Sequence, residues 1–228
     1  MQDHIVQFID MYEEPNNEAA TLLVTELCPL GSLQTRIDLS SPRMAYEEIL
    51  HATLQVARAI EYLHCRKLYH SDVKPRNILI RRVRPTDVVL ADMADVKPMG
   101  RRDRLHGTPS YYSPEMVASG RYGGTGHDDM WALGITVLGM LGQWPQVRYT
   151  KNDLDKYPRK CLDHAQQLGI LNPGERMVVG LLVKLLAEEQ RRIGATECVE
   201  VMEELCEKDA GAELEIKAPD EFRPASFW

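Results

Sequence analysis

The sequence predicts an α+β fold in which helices dominate. Three observations predict it: two pairs of short β-type runs, one long amphipathic helix between them, and helical periodicity beyond Gly126. The order is two strands, a helix, two strands, then helices to the end. No internal repeat or low-complexity block interrupts it, so residues 1–208 read as one domain.

The first pair is His4 to Tyr12 and Thr21 to Leu27, apolar and β-rich, separated by the polar turn Glu13-Glu14-Pro15-Asn16-Asn17. From Ser41-Pro42, a start signal, to His64, the residues Ile49, Leu50, Leu54, Val56, Ala57, Ile60 and Leu63 recur at helical spacing. Asn77 to Ile80 and Val88 to Leu90 form a second hairpin, joined by arginine-rich residues around Pro85. Four helices follow: His127 to Leu141, strongly apolar; Asn152 to Leu168, mixed; Arg176 to Glu189, amphipathic; and Ala195 to Cys206. The tail from Lys208 to Trp228, acidic and carrying Pro219 and Pro224, is expected to be extended or poorly ordered.

A formal charge of −7 over 228 residues disfavours a general attraction to nucleic acid or to an anionic membrane. Two local basic clusters, Arg81, Arg82 and Arg84, then Arg101, Arg102 and Arg104, read as solvated surface. The five cysteines are odd in number, widely spaced and without a C-x-x-C pair, which argues against zinc or disulfide chemistry and for reduced thiols in the cytosol or nucleus. Met-Gln-Asp-His is not the start of a signal peptide. No apolar run is long enough to span a membrane, and the nearest, Trp131 to Leu141, reads as a buried helix.

Between the long helix and the second hairpin stands His70-Ser71-Asp72-Val73-Lys74-Pro75-Arg76-Asn77. Bare, it is a loop with an acid, a base and an amide at fixed offsets. Phosphoryl transfer needs such a set: a carboxylate to orient a hydroxyl, a cation near the transferring phosphate, and an amide oxygen for a metal. A polar turn between helix and strand explains the octapeptide alone equally well.

The loop resembles the protein kinase catalytic loop H-R-D-x-K-P-x-N, with Ser71 in the arginine position. Val89-Leu90-Ala91-Asp92-Met93-Ala94 resembles the strand ending in D-F-G; the metal carboxylate is kept and the next two residues are replaced. Gly107-Thr108-Pro109-Ser110-Tyr111-Tyr112-Ser113-Pro114-Glu115 is similar to G-T-x-x-Y-x-A-P-E, and Asp129-Met130-Trp131-Ala132-Leu133-Gly134 to D-x-W-S-x-G. Arg192, in Arg192-Ile193-Gly194-Ala195, matches a late arginine of the family. Leu22 to Leu33 looks like the strand and hinge against which adenine lies.

The resemblance runs in the family's order over residues 4–208 and implies a protein-kinase-like fold of the serine/threonine type, indicated by Lys74-Pro75 and Thr108. It implies residues 1–33 as the last strands of the N-lobe and the hinge, 34–208 as the helical C-lobe, and 209–228 as a tail. In the implied roles, Asp72 orients a serine or threonine hydroxyl of a protein substrate, Lys74 sits on the transferring phosphate, and Thr108 bridges the two. Thr25 is the gatekeeper, and Glu26 and Cys28 donate backbone hydrogen bonds to the adenine of ATP. Asn77 and Asp92 hold Mg²⁺. His70 is structural, Asp129 anchors the catalytic-loop backbone, and Glu115 pairs with Arg192, since either charge buried alone is costly.

The family's glycine-rich loop, strand lysine and helix glutamate are absent from these 228 residues; Gly120-x-x-Gly123-Gly124-x-Gly126 has the wrong spacing. The expectation is that this part is upstream of Met1, that ATP is held loosely, and that the first hairpin is left apolar and open to a protein partner. Ser71 cannot gather a phosphate, and residues 94–106 contain no Ser, Thr or Tyr to carry one. A second class therefore stands beside the enzyme: a catalytically silent pseudokinase acting as an interaction module.

Overall fold

The computed structural model describes residues 3–14, 17–39, 43–100, 103–105, 107–144, 156–171 and 176–216. Strands β1 (Phe8–Glu14) and β2 (Asn17–Thr25) form an antiparallel hairpin with Met11 opposite Leu23 and Tyr12 opposite Leu22. The predicted first strand splits. Residues 4–6 run instead along Leu90, with its N–H donating to the His4 carbonyl (2.8 Å) and Val6 N–H donating to its carbonyl (2.9 Å).

Successive strand residues face opposite sides of a sheet. Met11 and Tyr12, and equally Leu22 and Leu23, are all exposed, Leu23 at 62%. Both faces of the hairpin are therefore uncovered among the described residues.

Helix α1 (Leu33–Asp38) escapes sequence periodicity because it is only six residues long. Ser32 caps it, accepting the Thr35 N–H at 3.4 Å. Helix α2 (Tyr46–Cys65) carries the predicted buried stripe, and Ala45 is its N-cap; the expected Ser41-Pro42 start lies outside the described residues. Glu48 accepts the Ala45 N–H (3.3 Å) and grips Arg36 through Nε and Nη2, both at 2.9 Å, which ties α1 to the first turn of α2.

After β3 (Leu68–Tyr69) come β4 (Ile78–Arg82) and β5 (Asp87–Leu90), the second predicted hairpin. Gln55 of α2 clamps its turn end: Nε2 donates to the Thr86 carbonyl and Oε1 accepts Val88 N–H, both at 2.7 Å. Two-residue strands β6 (Lys97–Pro98) and β7 (Asp103–Arg104) pair with β3 and with β8 (Arg121–Tyr122), which follows helix α3 (Pro114–Ser119). Pairs this short leave no pattern in a sequence, yet they pin the segment after Asp92 to the helical body.

Helix α4 (His127–Met140) is buried on every side from Asp128 to Met140, as an all-round apolar helix must be. Gly134 allows its closest approach: a Cβ there would lie 2.7 Å from Leu186 Cδ2. Helices α5 (Tyr157–Leu171) and α6 (Arg176–Leu185) complete the core with α7 (Ala195–Ile216), which packs along α2. The expected extended tail from Lys208 is corrected here. Helix α7 continues to Ile216, because Ala, Glu and Leu in this stretch favour a helix more than their acidity favours disorder. Residues 217–228 lie outside the described residues. Among the described residues no helix is long and apolar enough to cross a membrane.

Candidate active site

The loop between β3 and β4 is built on a buried carboxylate. Asp129, in the first turn of α4, accepts the His70 N–H through Oδ2 and the Ser71 N–H through Oδ1, both at 2.8 Å. His64 Nε2 lies 3.0 Å from Oδ2. Burial pushes this carboxyl up, but the His64 hydrogen bond, the His64 and His70 rings and the His70 N–H outweigh it and hold it below the ordinary carboxylate value.

Ser71 is thereby held with φ at 69°, a region that non-glycine residues rarely enter. Two further bonds fix it: its Oγ donates to the Asp95 carbonyl (2.7 Å), and its carbonyl accepts from the Tyr122 hydroxyl (2.5 Å). Such strain persists where surrounding structure over-determines it. His70 is fully buried: its Nδ1 accepts the Asp72 N–H (3.3 Å) and its Nε2 donates to the Ala91 carbonyl (3.0 Å).

Asp72, Lys74, Asn77 and Thr108 meet at one point. Lys74 Nζ donates to Asp72 Oδ2 (2.5 Å) and to Thr108 Oγ1 (3.0 Å), and the threonine hydroxyl donates to Asp72 Oδ1 (3.3 Å). Asn77 Nδ2 donates to the Asp72 carbonyl (2.9 Å) and to Oδ2 (3.0 Å), which leaves the amide oxygen for another partner. The Ala91 N–H donates to the Asn77 carbonyl (2.8 Å), so the neighbouring Asp92, exposed and left-handed at φ 64°, stands beside this group. Gly107, at φ 86°, passes so close that a Cβ would lie 3.1 Å from Asp72 Oδ1.

Farther along, Arg192 spends all five guanidinium N–H groups. Nη1 and Nη2 grip Glu115 as a bidentate ion pair, the second contact at 3.0 Å. Nε and Nη2 donate to the Ala187 carbonyl (3.1 and 3.0 Å), and Nη1 also donates to the His127 carbonyl (3.0 Å).

Comparison with known proteins shows the family of the chain. The protein kinase domain family matches residues 1–212. The chain belongs to that family. Serine/threonine-protein kinase ULK3 of Xenopus laevis is 29% identical over 89% of this chain and 49% of its own length; human ULK3 is 30% identical over 76% and 40%. The yeast cell cycle serine/threonine-protein kinase CDC5/MSD2 is 32% identical over 60% of this chain and 19% of its own length. The chain thus spans about half or less of the length of these relatives. The relatives named here are serine/threonine-protein kinases.

At the hinge of this kinase domain one expectation is corrected. The Glu26 N–H donates to the Gln7 carbonyl (2.9 Å), because β1 and β2 continue their pairing past Thr25. It is therefore spent within the hairpin, and the Glu26 carbonyl accepts the Thr25 hydroxyl (3.4 Å). Thr25 ends β2, exposed, and Cys28 accepts the Gly31 N–H (3.3 Å) in the turn that leads to α1.

The Glu26 carboxylate is engaged too. Its Oε1 accepts the Gln7 N–H (2.7 Å), and Arg81 grips it through Nε (2.7 Å) and Nη2 (2.5 Å) while Nη1 donates to the Asp3 carbonyl (2.8 Å). The Arg81 bond chiefly holds the Glu26 carboxyl below its ordinary value. Arg81 is thus a strut between hinge and β4, not the solvated arginine its cluster suggests. Nothing in a sequence signals a partner 55 residues away.

Asp128 is the other residue that sequence reading passed over, although two acids opening an apolar helix are a visible oddity. Its Oδ1 accepts from Ser113 Oγ (2.6 Å) and its Oδ2 from the Gly123 N–H (3.1 Å). Burial pushes the carboxyl up to about 6 against those two bonds, with Glu115 and Asp129 adding repulsion. The native state therefore holds the proton more tightly than the unfolded chain. The stabilisation is fully present below the ordinary value of 3.8 and is lost as pH rises through about 6. Lowering pH from about 7 to about 4.5 is expected to shift stability in favour of the parent over Asp128→Asn by about 2 kcal/mol. Urea midpoints at the two pH values check this, and a constant difference would reject it.

Proposed function

We propose that this chain is the catalytic part of a protein serine/threonine kinase that takes MgATP and a protein hydroxyl, and that these 228 residues alone turn over very slowly. The observation that carries the reading is the convergence of Asp72, Lys74, Asn77 and Thr108 on one carboxylate. Asp72 Oδ2 is saturated by Lys74 and Asn77, while Oδ1 holds one long bond from Thr108. Oδ1 is the atom to receive the acceptor hydroxyl and its proton. Lys74 turns from Asp72 to the transferring phosphate.

The donor set fits Mg²⁺: an amide oxygen on Asn77 whose N–H side is committed to Asp72, and the exposed carboxylate of Asp92, both hard oxygen ligands. Bound metal would neutralise phosphate charge. The hinge offers the Glu26 carbonyl and the Cys28 backbone to adenine. The slow rate follows from the glycine-rich loop, strand lysine and helix glutamate that these residues do not contain. The rival reading, a silent interaction module, is favoured by the bare hairpin. Calorimetric titration with ATP tests the proposal: affinity should be weak and raised by Mg²⁺, and affinity indifferent to the metal would overturn it in favour of the rival.

A further inference from the structure

On the side of α3 away from Asp72, a groove of about 570 Å³ opens between α3, α4, α5 and the turn after α6. Its size falls in the range of ligand sites. Val117, Leu162 and Leu186 wall it, and Trp131 lines it. Trp131 is 1% exposed. Arg192 covers one ring face, its Cζ 5.0 Å from the ring centroid, so the indole is held rigidly.

The rim carries a sign. Glu188 and Glu189 stand on it, and the other two charges are answered locally: Arg159 by Asp163 (3.2 Å) and Glu115 by Arg192. The groove therefore combines apolar walls and net negative charge. None of its lining residues takes part in the phosphotransfer network around Asp72.

We propose that this groove docks a peptide segment of a partner protein in which an aliphatic or aromatic side chain is flanked by lysine or arginine. The apolar side chain fills the space between Val117, Leu162 and Leu186. The basic flanks meet Glu188 and Glu189. Buried apolar anchors carry most of the affinity in such sites, while rim charges set approach and selectivity.

The test is fluorescence anisotropy on the full chain with a short labelled peptide holding a leucine pair between lysines, beside a twin with glutamates in place of the lysines. The lysine peptide is expected to bind more tightly than its twin, and Leu162→Asp to weaken it by about thirtyfold. Glu188→Lys, at an exposed position, is expected to weaken the lysine peptide severalfold and to favour the twin, with MgATP affinity unchanged; it decides the matter if Leu162→Asp does not fold. Equal affinity for both peptides would overturn the proposal. So would binding indifferent to Leu162→Asp, which would mean that the peptide sits on the bare β1–β2 hairpin. A chain that dimerises in solution, and that Leu162→Asp returns to a monomer, would assign the groove to a second copy and overturn it too.

Discussion

Arg192→Ala is expected to destabilise the chain by about 3–5 kcal/mol, the cost of breaking a buried charge pair from one side. The side chain is fully buried, and its loss strips Glu115 of its counter-charge and leaves the Ala187 and His127 carbonyls without their donors. Glu115→Ala should cost a similar amount from the other side, since it leaves the guanidinium buried without a carboxylate. The pair ties α3, and with it the end of the segment that follows Asp92, to the helical core, so both variants should also loosen Thr108 and Tyr112. Urea unfolding of the two single variants and the double measures this. Changes within error would show that the pair carries no weight, and a double variant much milder than the sum of the singles would locate the cost in the orphaned charge.

The 228-residue chain is expected to phosphorylate a generic protein substrate several orders of magnitude more slowly than the kinase domain of a relative such as ULK3. Phosphoryl transfer demands little covalent chemistry from the protein; the rate comes from positioning and from charge neutralisation. Here the acceptor side is assembled: Asp72 is fixed by Asn77, Lys74 and Thr108, on a loop braced by Asp129. On the donor side the proposed reading has a hinge and metal ligands, but these residues contain no lysine for the α- and β-phosphates and no glycine-rich loop. Radiolabel transfer from MgATP is the measure. Robust transfer that disappears in Asp72→Asn would show that the clamp is dispensable.

How much of this could be seen in the sequence depends on range. The long helix α2, the second hairpin and the buried α4 are periodic over enough residues to read directly. Asp72, Lys74 and Asn77 were grouped through the family resemblance, since a polar turn explains the loop alone equally well. Glu115 and Arg192, 77 residues apart, were paired through resemblance alone, since no local pattern links them. What was missed is local in space and distant in sequence: the Arg81 strut on Glu26, the Tyr122 hydroxyl on the Ser71 carbonyl, and the Ser113–Asp128 bond. The two-residue strands and the short α1 carry too few residues for any period. The direction of the Glu26 N–H was misread because a strand's register, not its composition, decides which backbone groups are spent.

The central claim is that Asn77 and Asp92 make a metal-dependent nucleotide site with the hinge, and ATP titration by calorimetry tests it most directly. Binding should be weak, strengthened by Mg²⁺ in the parent chain and no longer strengthened in Asp92→Ala. Equal ATP affinity in the parent and in Asp92→Ala, with or without the metal, would contradict it.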